Sequence, residues 1–199
     1  MEKKNLTLES ATDLLHANMQ NKNLRKHCYS VGKVLSAFYD YYKEKGTDTG
    51  SLNKEQWEIT GILHDADWEL TTEDATKHTL ETLKWLEEYE TPEEILNTIK
   101  SHNNKITNLR SPETILEWTL ECCDELTGFI VAIALVMPSK KLADITIESI
   151  LKKFKQKEFA RAVDRTQITQ CEEKLGINIE EFIKVSLYAM QKSSDLLGL

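Results

Sequence analysis

Residues 60–69 read TGILHDADWE. The apolar residues Ile59, Ile62 and Leu63 sit at helical spacing and then give way to His64, Asp65, Asp67 and Glu69. Charged groups at the end of an apolar helix need water, partner side chains or a cation, because a buried and unpaired charge is strongly unfavourable. What lies on either side of the stretch decides which of these they have.

Upstream, Asn53 with Gln56 three residues later is a capping box, so a helix opens there and runs into His64. Before it, Asn23 is placed to cap a helix whose stripe holds Leu24, His27, Cys28, Val31, Val34, Leu35, Phe38 and Tyr42, with Gly46 as its stop. Downstream, Asp74 is expected to cap a run containing His78, Leu80, Leu83, Trp85 and Leu86. Thr91-Pro92-Glu93-Glu94 and Ser111-Pro112-Glu113 each place a cap residue before a proline at the first helical position. One long helix is expected from Pro112 to Val136, stopped by Pro138, and a final amphipathic helix from Glu180 to Leu197. Between them, Ala143–Leu151 suits either a short strand or the start of a helix. The chain therefore reads as all-α, and without repeats or Pro/Gly-rich linkers it reads as a single domain over 1–199.

The bulk numbers narrow the function classes. A chain of 199 residues that is 40% hydrophobic can bury one sizeable core. The 25 basic and 33 acidic residues leave a net charge of -8, which argues against nucleic-acid polymers and anionic membranes as partners. The longest apolar run, Gly128–Met137, is half of the roughly 20 residues that span a bilayer. The charged start Met1-Glu-Lys-Lys-Asn lacks a signal-peptide core. Cys28, Cys122, Cys123 and Cys171 form no CxxC pair and read as reduced thiols in the core. A soluble cytoplasmic protein is expected, with no oligomeric state specified.

His27 shares the stripe of Leu24 and Val31, His102 follows Ile95 and Ile99 at helical spacing, and Asp124 interrupts the apolar stretch TLECCDELTGF. Singly, each has an ordinary reading: a hydrogen-bonded core histidine, a solvated His78, or an aspartate paired with a lysine or arginine. Together, His27, His64, His78 and His102 with Asp65 and Asp124 form a mixed nitrogen and oxygen set suited to transition metals. Adjacent helical side chains diverge, but at a helix end His64 and Asp65 can face one point, the imidazole on one ion and the carboxylate bridging to a second. His16 stands outside the set.

This order of residues resembles the HD-domain metal-dependent phosphohydrolases, in which His, then His-Asp, then a distant Asp run along an all-α helical core. Here these are His27, His64-Asp65 and Asp124, and the additional His78 and His102 are similar to the extended pattern of binuclear members. The resemblance covers about residues 23–138 as an HD core, leaving 139–199 as a C-terminal helical extension. It implies a helical-bundle fold in which His27, His64, Asp65 and Asp124 hold one ion, and His78, His102 and a bridging Asp65 the second. The cofactor would be one or two divalent ions of Mn, Fe, Co, Zn or Ni, with Mg also suitable. The chain departs from the family in having Ala66-Asp67 where several binuclear members have Ile-Gly, and in lacking the Gly-Tyr-Pro signature of cyclic-dinucleotide phosphodiesterases. Asp67 and Glu69 match only in type the acidic residues that follow the pair in guanosine tetraphosphate hydrolases. Beside Asp65 they are the candidates for supporting or proton-transfer work, and Glu69 also reads as a solvated helix terminus.

The implied reaction is hydrolysis of a small phosphomonoester, nucleotide or phosphodiester by a metal-activated water. Two other activities share the ligand set, a di-iron oxygenase and a non-catalytic nucleotide sensor. Cations for a phosphate cluster between Ser139 and Arg165, where eight basic residues face four acidic ones and leave the rest of the chain at -12. Within ILKKFKQKEFARAVDR, Lys153, Lys155, Arg161 and Arg165 could bind phosphate, arginine in two parallel bonds. The same segment reads equally as a solvated basic face.

Overall fold

Two glycines set the closest approach in the fold. In the computed structural model, which describes residues 3–199, helix α3 (Lys54–Leu63) lies against helix α2 (Lys22–Glu44). A Cβ on Gly61 would stand 2.6 Å from the Cα and N of Gly32. Only two glycines facing each other allow backbones this close, and the contact fixes where α3 delivers His64. Met1 and Glu2, the start of the charged N-terminal run, lie outside the described residues.

Around this pair the chain adds α1 (Leu8–Asn18), α4 (Trp68–Thr71), α5 (Leu80–Trp85), α6 (Glu93–His102), α7 (Asn104–Thr107), α8 (Ile115–Val136), α9 (Ile147–Phe154), α10 (Arg165–Leu175), α11 (Ile179–Lys192) and α12 (Ser194–Leu197). The core runs between α2, α3, α8 and α11 and holds Leu35, Phe38, Trp57, Leu120, Phe129 and Phe182, each fully buried. Phe38 stacks on Phe182 with ring centroids 4.5 Å apart, which docks α11 on α2, and α10 packs along α8. The helices after residue 138 therefore pack on those before it. A two-residue parallel ladder, β1 (Lys4–Asn5) with β2 (Tyr89–Glu90), ties the N-terminal segment down beside the 2.9 Å Lys4–Glu88 ion pair. All four cysteines are buried and unbridged, and burial pushes their thiols up. Among the described residues no helix is long and apolar enough to cross a membrane.

The Asn53–Gln56 capping box and the left-handed Gly46 that ends α2 stand as expected. Several other starts move, each because a different side chain captures the free N–H groups. Asn21, not Asn23, caps α2, its carboxamide accepting from Asn23 N and Leu24 N. Helix α8 starts at Ile115 rather than Pro112, because Thr114 and Glu117 close a reciprocal box, and Glu117 also accepts from Arg110 Nε at 2.8 Å. Pro92 occupies the cap position of α6 in place of Thr91, so the helix starts at Glu93, one residue later than expected. Asp74 caps no helix but closes a turn onto Thr76, so α5 begins only at Leu80 and His78 lies in the turn before it. Ala143–Leu151 resolves into a 3-10 turn at Leu142–Asp144 followed by α9. The final helix breaks at Ser193 into α11 and α12.

Candidate metal centre

Asp65 stands just past the end of α3, with a different pair of imidazoles on each of its carboxylate oxygens. Its Oδ2 lies 3.6 Å from both His27 Nε2 and His64 Nε2, and its Oδ1 lies 3.2 Å from His78 Nε2 and 3.1 Å from His102 Nε2. Asp124, from the middle of α8, places Oδ1 2.8 Å from His27 Nε2 and 3.5 Å from His64 Nε2. Two groups result, His27–His64–Asp65–Asp124 and Asp65–His78–His102, each with its candidate ligand atoms within 4.8 Å of one another. They share Asp65.

The rings are held from behind. His64 donates from Nδ1 to the carbonyl of Gly61 at 2.7 Å, one turn back on α3. His78 donates from Nδ1 to Asp67 Oδ1 at 2.8 Å. The same carboxylate accepts Thr79 N at 3.1 Å and Thr82 N at 3.0 Å, so the fully buried Asp67 caps α5 and orients His78 together. The turn also imposes a left-handed backbone on Thr79, with φ of 75°, rare for a β-branched residue. Thr127 Oγ1 stands 3.4 Å from His27 Nδ1, and the edge of Trp68 packs against His78.

A divalent cation fits the first group on the geometry of one atom. With Nδ1 committed to Gly61, a neutral His64 turns the lone pair of Nε2 towards two carboxylate oxygens, and this buried nitrogen has no hydrogen-bond partner. Such an arrangement is repulsive unless a cation or proton lies between. Burial would lower the His27 imidazole, but the hydrogen bond with Asp124 and the charges of Asp124, Asp65 and Glu125 override it and hold it up to about 9. His78 is likewise held up to about 9 against burial by its bonds to Asp65 and Asp67. Burial would raise Asp65 and Asp124, yet the surrounding imidazoles hold both well below the usual carboxylate range. Both are thus ionised, as cation ligands must be. The His64 side chain is fully buried, whereas His27, Asp65 and Asp124 keep 24%, 14% and 18% of theirs exposed, so solvent reaches the centre from that side.

Other expected site residues lie elsewhere or do different work. Glu69 faces the α1–α2 turn, where Oε2 accepts Gln20 N at 2.6 Å and Asn21 N at 2.9 Å; it is a structural brace and not a group of the centre. Asp67 is engaged by His78 and two amides, which is the supporting work expected of it. Arg165 is also corrected: its guanidinium donates to the carbonyls of Phe154 at 3.0 Å and Gln156 at 3.1 Å and stacks 5.1 Å from the Phe129 ring, so it ties down the 155–164 loop instead of facing a ligand. Arg161 pairs with Glu158 at 3.7 Å on the surface, Lys153 lies over Phe159, and Lys155 is exposed. No hydrogen bond or ion pair among the described residues joins these four to the histidines and aspartates of the centre. Near its end the segment approaches the centre at Asp164, whose N donates to Glu125, the residue after Asp124. Thr127, three residues after Asp124, escapes the sequence reading, because an isolated threonine in a helix carries no chemical signal.

The HD-domain family model matches residues 24–128 of the chain, from the turn before His27 to just past Asp124. No curated protein and no solved structure gives a match.

Proposed function

The chain belongs to the HD-domain family, and on that premise we propose that it is a metal-dependent phosphohydrolase acting on a small phosphomonoester, nucleotide or phosphodiester. The observation that carries the reading is Asp65, whose two oxygens divide between two sets of imidazoles in the manner a binuclear hydrolytic centre requires. In the hydrolysis a water oxygen bonds to phosphorus, the ester P–O bond breaks, and the alcohol leaves with a proton. Bound divalent cations supply a lowered pKa for the attacking water and positive charge for the phosphate oxygens.

The chain's own residues perform the remaining tasks. Asp67 and the Gly61 carbonyl hold His78 and His64 in orientation, so little reorganisation is left for the reaction. The exposed edge formed by His27, Asp65 and Asp124 is where a phosphate enters. No nucleophilic side chain is required, which suits a site whose nearby Cys28 and Cys123 thiols are held up by burial. Among the cations of the basic segment, Lys153, Lys155 and Arg161 remain candidates for a larger ligand's outer phosphate. The four buried thiols suit a reducing compartment, and we place the protein in the cytoplasm.

The test is to measure the metal content of the purified protein and then screen that form against phosphomonoesters, nucleotides and cyclic dinucleotides. Two ions per chain, turnover of at least one class and its loss in Asp65→Ala are expected. Oxygen uptake by iron-loaded protein without phosphate release would instead establish the oxygenase, and nucleotide binding with no turnover the sensor.

A further inference from the structure

The His27 wall of the centre is shared with a cavity of about 420 Å³ that the chemistry above leaves unused. Lys26 and His27 of α2 line it together with Val131 and Leu135 of α8, Lys140 and Leu197. Three features of this cavity point to a ligand. Lys26 is half-buried, its ammonium against Gly198 at the end of α12, and among the described residues no carboxylate comes within the 4.0 Å ion-pair distance of Lys26 or Lys140. Lys26 is the partly desolvated one of the two, Lys140 being exposed, and an unpaired cation at such a wall favours an anion. Lys140 holds a left-handed backbone, φ 53°, an unfavourable state for a lysine that puts it at the cavity mouth. Gly128, in the interior of α8, also lines the cavity, and a Cβ there would meet nothing within 4 Å. A glycine inside a helix is unfavourable, and here the protein's own packing gives no reason for it. The space is open on the ligand side.

We infer that this cavity receives the non-reacting half of the substrate, an aliphatic alcohol portion carrying a second anionic group that Lys26 and Lys140 bind while the scissile phosphate meets the His27–Asp65–Asp124 edge. The inference rests on the hydrolytic reading and narrows it. The lining contains no Phe, Tyr or Trp on which a nucleobase could stack, while Val131, Leu135 and Leu197 match an aliphatic chain. In the reaction only the ester bond between phosphorus and the aliphatic oxygen breaks; the second anion leaves unchanged with the alcohol.

Metal-loaded full-length protein is compared on butane-1,4-diyl bisphosphate and butyl phosphate, with calorimetric titration of butane-1,4-diylbisphosphonate as a readout independent of turnover. The bisphosphate is expected to be preferred in kcat/KM by about tenfold, the effect of one charge-assisted contact. In Lys26→Ala and in Lys140→Ala that preference collapses and the bisphosphonate Kd rises by about the same factor. Gly128→Leu, which fills the cavity, weakens the bisphosphonate in the same way, with thermal unfolding as its check on folding. Equal use of the two esters, or a bisphosphonate Kd that is immeasurable or insensitive to both lysines, overturns the inference. If the esters are cleaved without preference, the hydrolytic reading stands and this subsite falls. If the lysines govern bisphosphonate binding but neither these esters nor any member of the broader phosphate-ester screen is cleaved, the subsite stands and the hydrolytic reading falls.

Discussion

Asp67 shows how far one carboxylate's partners determine its role. Its two oxygens meet His78 Nδ1 and the amides of Thr79 and Thr82, so helix α5, the turn before it and one candidate ligand all depend on a single buried group. Loss of a carboxylate that orients a metal-binding histidine typically lowers metal affinity by about 10- to 100-fold. We expect Asp67→Ala to weaken the ion held by His78 and His102 by that order while the His27–His64–Asp124 ion is largely retained, as read by competition with a chromophoric chelator. Equal loss at both sites would mark a folding defect. Asp67→Asn, which keeps one acceptor, should fall between the two. At this scale the histidines and aspartates of the centre were legible in the sequence, because inward polar residues in apolar stripes are rare and these fall in one order. The partner of Asp67 was not, since a residue eleven positions away in an irregular turn leaves no periodic signature.

Among the elements, the contact between α2 and α3 matters most, because it delivers His27 and His64 to one place. Their ring centroids are 5.3 Å apart, a separation set by the backbone approach at Gly32 and Gly61. A methyl at Gly61 must push α3 away from the α2 backbone, and overpacking of this kind typically costs about 1–3 kcal/mol. Gly61→Ala should therefore lower stability by that amount in urea unfolding and also weaken metal binding, since His64 moves with α3. A stable variant with unaltered metal affinity would refute the coupling. Helix identities were readable from apolar spacing, whereas helix starts were less so. Asn21, Thr114 and Asp67 won the free amides over Asn23, Ser111 and Asp74 through contacts that spacing cannot rank. The basic run before α10 misled in a similar way, since Arg165 is spent on loop carbonyls.

Taken whole, the molecule surrounds its centre with α2, α3, α6, α8 and the turn before α5, so protons and cations compete for a group of side chains that also joins these elements. In the metal-free protein His27 and His78 rise from 6.5 to about 9 on folding. A raised imidazole contributes stability that is complete below pH 6.5 and is lost as the pH climbs through about 9. The depressed Asp65 and Asp124 act oppositely, contributing above 3.8 and losing that contribution as pH falls through their lower folded values. The metal-free Tm should thus decline between pH 6.5 and 9. Cations bind the deprotonated imidazoles, so the Tm gap between loaded and metal-free protein should widen across the same interval; at 100 times Kd it corresponds to about 2.7 kcal/mol, or roughly 5–10 °C. A gap that narrows with rising pH in paired melting curves would contradict the ligand assignment.

By itself the sequence determined the all-α class, the order of the long helices and the residues of the centre, because apolar spacing and the rarity of buried charge are local properties of the chain. Tertiary structure alone decided which carboxylate oxygen faces which imidazole, that Asp67 holds His78 while Glu69 braces a distant turn, and that Lys26 and Lys140 border an open cavity beside His27. These are distances of a few ångströms between residues far apart in the chain, and they follow from how whole helices pack against one another.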